Sequence, residues 1–395
     1  MTTTVTSKLD ERTRDIVKST VPVLAEHGEA ITTHFYKRLL EDHPELKNVF
    51  NMTHQKEGKQ PRALANAVNA AAQNIDDLTA IAPAADTIAE KHVSLNIQPE
   101  HYPIVGEYLL KAIKEVLGDA VNEEVLEAWG AAYGEIADVF IGMEEKKYEA
   151  SAWTGYRNFT VEKKVKESEE ITSFYLQPED GGSIPFYRPG QYIGLKADIP
   201  DYPHTQLRQY SLSDEPGKGY LRISVKREDG TDELPAGLVS TWLHKDVQEG
   251  DVLPVSAPAG DFYLDESSNR PIVLLSGGVG LTPLMSMYNK VRNEKEVYFI
   301  HAARNGGVHG LKEEMAGKQS YVVYETPSEE DKTLGVYYKA GYVDLDWLRT
   351  VVPKDADFYF CGPEGFMRAV NGALHEWGVP AGQINYEFFG PKGTL

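Results

Sequence analysis

The sequence predicts a multidomain protein: an all-α segment, then an antiparallel β-barrel, then an α/β domain built on a parallel sheet. Three observations predict this order. The chain has 395 residues, more than one ordinary domain of roughly 100–200 residues. Its apolar positions recur with helical spacing to about residue 150, and from about Tyr156 they give way to short β-branched and aromatic runs broken by Gly and Pro. From Pro271 strand, glycine loop and helix alternate, as the crossovers of a parallel sheet require. The expected domains are residues 1–147, 153–265 and 270–395, with the polar stretch from Glu144 to Gly155 as the first linker.

In the helical third, Ile31, Phe35 and Leu39 form one stripe, and Tyr36 sits one turn before Leu40. Its phenol is expected to be semi-buried and to need a hydrogen bond. On a helix around residues 57–74, Leu64, Val68 and Ile75 share a face that Gln60 extends one turn earlier. On a later helix, Ala85, Ile88 and Leu95 line a stripe on which His92 falls. Each polar residue alone reads as a satisfied core group. Together they resemble a globin, with Tyr36 on the second helix, the Pro44 turn, Phe50 at the corner over the haem, Gln60 on the distal helix and His92 on the proximal one. That resemblance covers the first third and implies one haem b, its iron held by a neutral imidazole nitrogen of His92. It also implies Phe50 and Leu64 against the haem, and Tyr36 and Gln60 opposite the imidazole, donating hydrogen bonds to dioxygen.

A metal-bound imidazole passes its other N–H to an acceptor that fixes its tautomer. Glu144 follows Trp129, Tyr133 and Phe140 along one helical face and so aims at the pocket, although a carboxylate near a helix end is commonly just solvated. Glu145 takes its place if the register shifts by one. With Tyr102, in the stretch PEHYPIVGEYLL, Glu144 resembles the His–Glu–Tyr proximal triad of bacterial flavohaemoglobins. The resemblance implies a charge-assisted bond from His92 that pushes electron density onto iron and favours O2 activation over storage.

Candidate strands follow at residues 159–166, 171–177, 191–196, 207–212 and 220–226, the spacing of a small barrel, with a helical stretch at 237–244. Arg208-Gln209-Tyr210-Ser211 is an R-x-Y-S pattern whose alternative is an edge strand with a surface arginine. With the segment from Tyr187 through Arg188, Pro189, Gly190 and Gln191 to Tyr192, it resembles the flavin domain of ferredoxin-reductase-like enzymes. One FAD is therefore expected. Arg208 offers a fork for the pyrophosphate, Tyr210 lies along the isoalloxazine, and the Ser211 hydroxyl reaches its reactive edge, with Gln209 between. By the same resemblance Tyr192 faces the adenine side. Gly237-Leu238-Val239-Ser240 opens a helix whose N–H groups, with Ser240, hold phosphate oxygens. The stretch Glu387-Phe388-Phe389-Gly390-Pro391 resembles the family's closing segment, in which Phe389 lies against the flavin where nicotinamide must enter. Phe388 stands where many relatives have cysteine, which removes any thiol role there.

In the last third the expected elements are the strand PIVLLS, a helix near 283–292, strands at 297–302 and 358–361, and a helix at 364–377. The loop after PIVLLS lacks the third glycine of the Rossmann fingerprint. It reads G-x-G-x-T-P instead, from Gly278, Val279 and Gly280 to Leu281, Thr282 and Pro283, with Pro283 starting the helix that receives the pyrophosphate. The variant again resembles the ferredoxin-reductase family and implies NADH or NADPH as cosubstrate. Cys361-Gly362-Pro363 ends a strand. Read alone it is a turn with a buried cysteine; by the resemblance Gly362 allows close approach and the thiol lies near nicotinamide. Arg304 is positioned to meet a 2′-phosphate, but no basic cluster accompanies it, so NADH is favoured. The resemblance further has Lys91 and Glu387 face each other across the domain junction and tune both redox potentials, the alternative being a surface ion pair.

Sixty acidic against forty basic side chains give a formal net charge of −20, which disfavours nucleic acid and anionic membrane surfaces. The single cysteine, Cys361, permits no intrachain disulfide, so a reducing cytoplasm is expected. The stretch MTTTVTSKLDERTR has no apolar h-region, and no 18 apolar residues run together, so neither export nor membrane insertion is expected. The order of the three parts resembles a bacterial flavohaemoglobin, whose activity is nitric oxide dioxygenation. By that resemblance NAD(P)H reduces FAD, FAD reduces haem, and O2 on ferrous haem oxidises NO to nitrate, one hydride serving two turnovers. The small molecules NO, O2 and NAD(P)H are the expected partners of a monomer. Two other classes carry the same features: a redox-coupled haem gas sensor or O2-binding protein, and a plain reductase whose helical part docks a partner.

Overall fold

The computed structural model describes residues 7–50, 58–231, 235–315, 317 and 319–390. The chain divides into two compact units, one of Met1–Gly155 with Asp198–Leu207 and Gly390–Lys392, the other of Tyr156–Ala197 and Arg208–Phe389 with Gly393–Leu395.

The first unit is helical. Helix α1 (Glu11–Ser19) starts where the Asp10 carboxylate accepts from the Thr13 N–H, satisfying a donor that the first turn leaves open. Helix α2 (Val21–Asp42) has Pro22 in its first turn, where a missing N–H costs nothing, and ends before Pro44 opens a short 3-10 turn. Then come α3 (Lys59–Gln73), α4 (Ala82–Ser94), α5 (His101–Leu117) and α6 (Glu123–Ala150). Asn122 caps α6, and Glu123 and Glu124 complement its dipole. Ile31, Phe35, Leu39, Ile75, Tyr108, Ala112 and Trp129 meet in one core, each large side chain contributing about 1.5–3 kcal/mol by leaving water. Gly106 has no room for a side chain, since a Cβ there would lie 2.5 Å from the Tyr133 ring. That closeness lets the Tyr133 hydroxyl donate to the Tyr102 carbonyl at 2.7 Å, tying α6 to the start of α5.

The second unit carries two sheets. The first has strand order β4-β3-β6-β1-β2-β5, built from β1 (Tyr156–Lys166), β2 (Ile171–Pro178), β3 (Tyr192–Ala197), β4 (Gln206–Ser211), β5 (Leu221–Lys226) and β6 (Val252–Ser256). Strand β1 pairs antiparallel with β2 and β6, and β2 with β5. A bridge from Leu212 to Ile223 brings the two edges together and nearly closes the barrel. Helix α7 (Leu238–Lys245) lies between β5 and β6 in sequence. The sequence reading missed β6, whose Pro254 argues for an edge strand; here Pro254 stands opposite Asn158 in the middle of the sheet.

The second sheet is parallel, in the order β10-β9-β8-β7-β11-β12. Its elements are β7 (Ile272–Gly277), α8 (Leu281–Val291), β8 (Val297–Ala303), β9 (Ser320–Tyr324), α9 (Glu329–Leu334), β10 (Lys339–Ala340), α10 (Leu345–Val351), β11 (Asp357–Cys361), α11 (Glu364–Trp377) and β12 (Ile384–Glu387). The two faces of β11 go into separate cores, Phe358 and Phe360 on one side and Tyr359 on the other, as a sheet covered on both faces requires. Strand order reverses between β7 and β11, and the crevice outside their carboxyl ends is where such sheets bind ligands. Among the described residues no helix is long and apolar enough to cross a membrane.

Candidate functional site

In the first unit three helices deliver the proximal residues to one point. Glu144, on α6, is only 2% exposed. Its Oε1 accepts from His92 Nδ1 at 2.7 Å and from the Tyr102 hydroxyl at 2.5 Å, and Tyr102 lies 3.2 Å from the same imidazole nitrogen. A carboxylate only accepts, so Nδ1 carries the hydrogen and the lone pair sits on Nε2. Among the described residues Nε2 makes no hydrogen bond, and the imidazole is about one-third exposed. Burial, then the Glu144 charge, pushes the Tyr102 phenol far above its ordinary range and keeps it a donor. Glu145 is exposed, so the alternative register is not the one used.

Across the same unit Tyr36 is 7% exposed, its ring edge-on to Phe35 at 4.7 Å and to Phe50 at 5.4 Å. Burial pushes its phenol well up, and a hydrogen bond with the Gln60 side chain acts against that rise. The two polar residues expected on the distal side thus meet. On α4 Ala85, Thr87, Ala89, Val93 and Ser94 are buried, whereas Ile88 and His92 are half-buried, as are Leu95 just beyond it and Phe50, Leu64 and Val68. Half-buried apolar residues, an imidazole with a fixed tautomer, and a buried phenol bonded to an amide make a donor set that fits a haem. Lys91 donates to the Gly390 carbonyl at 2.6 Å within this unit.

In the second unit β4 presents Arg208, Gln209 and Tyr210 half-buried, with Ser211 buried. Burial raises the Tyr210 phenol, and the Arg208 charge opposes that rise. The Tyr187–Tyr192 segment is braced from both ends. The Tyr187 hydroxyl donates to the Asp214 carbonyl at 2.8 Å, and Gly190, at φ +109°, approaches the Phe262 carbonyl so closely that a Cβ would sit 2.4 Å from it. Tyr192 is buried with its ring on Gly260. The Ser240 hydroxyl is engaged by backbone, donating to the Gly237 carbonyl and accepting from the Glu228 N–H. A phosphate there would meet the open N–H groups of the first turn of α7 before it met this hydroxyl. Phe388 is half-buried beside Tyr386, and Phe389 is 49% exposed. Pro391 lies outside the described residues.

At the switch point three glycines let the ends of β7 and β11 touch backbone to backbone. A Cβ on Gly280 would lie 2.2 Å from the Cys361 carbonyl, and one on Gly277 or Gly362 would meet the Phe366 ring. Helix α8 begins at Leu281, earlier than the expected Pro283, and Leu281, Thr282 and Pro283 are all buried in its first turn. Gly278 takes φ +51° with open space around it, and Val279 accepts the Thr282 hydroxyl. This is a cradle for a pyrophosphate. Cys361 is fully buried, and burial, then the Glu387 carboxylate paired with it in β12, raises its thiol well above the ordinary range. The thiol presents no surface, and the close approach is made by backbone.

Beside this crevice stand Arg304, which the sequence reading named, and the set of Ser276, His301 and His309, which it missed. Arg304, just past β8, is ion-paired to Glu170. Ser276 bonds His301 Nδ1 at 2.8 Å, and His301 stacks at 4.4 Å on His309. Burial lowers these imidazoles to about 3 and about 2, so both stay neutral. Such residues lie in strands buried on both faces or in loops, where no periodicity marks them.

Three family models match the chain: Globin over residues 33–140, Oxidoreductase FAD-binding domain over 158–263, and Oxidoreductase NAD-binding domain over 274–372. A flavohemoprotein of Halalkalibacterium halodurans is 55% identical, the match covering 99% of this chain and 99% of that protein. The crystal structure of a flavohemoglobin from Malassezia yamatoensis, with bound FAD and heme, aligns with TM-score 0.82 at 29% identity over 97% of this chain and 100% of that one. The FAD/NAD-binding domain of a nitric oxide dioxygenase from Vibrio cholerae aligns with TM-score 0.54 at 39% identity, covering 60% of this chain and 100% of that domain.

Proposed function

This chain belongs to the flavohemoproteins, a globin domain joined to FAD- and NAD-binding oxidoreductase domains, and is a nitric oxide dioxygenase; from that premise we propose the part each residue plays. The bound groups supply hydride transfer from NAD(P)H to FAD, single-electron transfer to haem, and O2-dependent oxidation of NO to nitrate. One observation carries the residue assignment: His92 has its Nδ1 committed to Glu144 and its Nε2 available.

In this reading His92 Nε2 is the axial ligand, and Glu144, itself held by Tyr102, keeps the imidazole electron-rich. Tyr36 and Gln60 hold and polarise the diatomic ligand, and Phe50 and Leu64 wall the haem. Arg208 binds the flavin pyrophosphate, Tyr210 and Ser211 line the isoalloxazine, and Tyr192 and the first turn of α7 support the rest of the FAD. The backbone of Gly278–Pro283 and Gly362 receives the nicotinamide dinucleotide, with Phe389 covering the flavin until it arrives. Lys91 and Glu387 tune the two redox centres. The domains are read as 1–147, 153–265 and 270–395, and the protein as a cytoplasmic monomer, its single cysteine suiting a reducing compartment. NO consumption by the aerobic NADH-fed protein tests the whole: sustained catalysis is expected, whereas one stoichiometric turnover would indicate a sensor and the lack of a Soret band a docking domain.

Arg208→Ala leaves the pyrophosphate charge without its fork, a loss of about 1.5–3 kcal/mol for a charged hydrogen bond. FAD should bind about ten- to a hundredfold more weakly. Unchanged flavin content after gel filtration would place the flavin elsewhere.

NADH is the expected donor because the Arg304 guanidinium is already paired with Glu170. Ala302 pairs with Gly277 in register, so Arg304 lies beside the dinucleotide loop, and Glu170 occupies it. Glu170→Gln should free it and raise kcat/KM for NADPH about tenfold, as the gain of one charged hydrogen bond implies. An unchanged NADPH-to-NADH ratio would remove Arg304 from the cosubstrate site.

A further inference from the structure

We infer that the cluster of Asp214, Arg222, Asn289 and Glu314, buried except for the partly exposed Glu314, is a positioning device that holds the flavin strand at one setting against the nicotinamide loop. The inference rests on the reading that Arg208–Ser211 hold flavin and Gly278–Pro283 the dinucleotide.

Strand β4 runs on through Leu212 and Ser213 to Asp214, which is 3% exposed. The Asp214 carbonyl accepts from the Tyr187 hydroxyl at 2.8 Å and from the Ser286 hydroxyl at 2.6 Å. Its carboxylate accepts from Asn289 Nδ2 at 3.1 Å, Lys218 at 2.8 Å and Tyr220 at 2.8 Å. Ser286 and Asn289 belong to α8, the helix that the glycine loop leads into. Bonds from Arg222 and Asn289 complete the frame. Arg222, on β5 and 2% exposed, makes a two-pronged pair with Glu314 and also donates to the carbonyl and hydroxyl of Ser213. Asn289 Nδ2 also donates to Glu314 at 2.8 Å. With both carboxylates demanding a donor, the amide can face only one way.

Burial alone would raise the Asp214 carboxyl, yet the Arg222 charge and the Lys218 and Tyr220 bonds hold it below its ordinary value. A buried ion pair adds little net stability compared with an apolar filling of the same shape. It does add direction: apolar surfaces slide, whereas forked and charge-assisted bonds admit one placement. The step served moves a hydride, with both its electrons, from dihydronicotinamide to oxidised flavin, leaving NAD(P)+ and a flavin two electrons more reduced. A misplacement of about 1 Å at such a step costs about a hundredfold in rate.

The test uses the full chain loaded with haem and FAD, comparing Glu314→Gln and Asn289→Ala with the unaltered protein. Anaerobic stopped-flow is expected to show flavin reduction by NADH slowed about 10- to 100-fold. The long-wavelength charge-transfer band of stacked nicotinamide and flavin should be lost, while flavin content and O2 binding after dithionite reduction stay unchanged. A folded variant that keeps both the rate and the band overturns the inference, as does a rate loss that merely tracks flavin loss. Should both variants fail to fold, Ser286→Ala removes one hydroxyl from the frame, and a wild-type rate and band in it would likewise overturn the proposal. Arg208→Ala, read separately by flavin content, tells failure of the underlying flavin assignment from failure of the cluster.

Discussion

Replacing His92 by alanine is expected to abolish NO consumption while leaving NADH-dependent reduction of ferricyanide nearly intact. Among the described residues this imidazole has its Nδ1 tied to a buried carboxylate and its other nitrogen available, so its loss removes the proposed iron ligand and leaves Glu144 and Tyr102 bonded to each other. The residues proposed for flavin and nicotinamide between Tyr192 and Phe389 belong to the second compact unit, whose parallel sheet has a core on each face. Hydride transfer to flavin and onward to an artificial acceptor therefore has no need of His92. Both rates are measured on one preparation. Equal loss of the two activities would contradict a modular division of labour, and full NO turnover in the variant would remove His92 as the ligand.

Tyr36→Phe is expected to raise the O2 dissociation rate of the ferrous protein about ten- to a hundredfold while CO dissociation changes little. The ring remains wedged against Phe35 and Phe50, so the fold is unaffected. Its hydroxyl is buried and stays protonated at any working pH, hence a permanent donor, and Gln60 holds it from the side. Dioxygen drawing electron density from iron becomes a partly charged acceptor, and the bond to it is worth about 1.5–3 kcal/mol, a difference seen mainly in the off-rate. Carbon monoxide develops far less charge. Parallel small changes for both gases would assign Tyr36 to packing alone, with its hydrogen bond to Gln60 serving only to satisfy a buried hydroxyl.

His92 and Glu144 were legible in the sequence because each sits on a helix whose phase its apolar neighbours reveal, whereas Tyr102 joined them only through the family resemblance. Leu95 and Ile88 orient His92, and Trp129, Tyr133 and Phe140 orient Glu144. The R-x-Y-S strand and the G-x-G-x-T-P loop were legible for a different reason: pyrophosphate recognition demands those residue types close together in sequence. Strands β6, β9, β10 and β12 were not foreseen. The first contains a proline, β10 has two residues, and β9 and β12, five and four residues long, are too short to carry a clear alternation.

By itself, then, the sequence determined the succession of helical, barrel and parallel-sheet parts, which follows from local periodicity and contiguous motifs, while the residues proposed to face haem, flavin and nicotinamide came from the family resemblance. Only the tertiary structure decided that Cys361 is sealed, that Ser240 spends its hydroxyl on backbone, that Glu170 neutralises Arg304, and that Asp214, Arg222, Asn289 and Glu314 close on one another. Burying a charge is prohibitive until its partner is beside it. Those partners come from β4, β5, α8 and the loop before β9, and only the folded chain brings them within hydrogen-bonding distance.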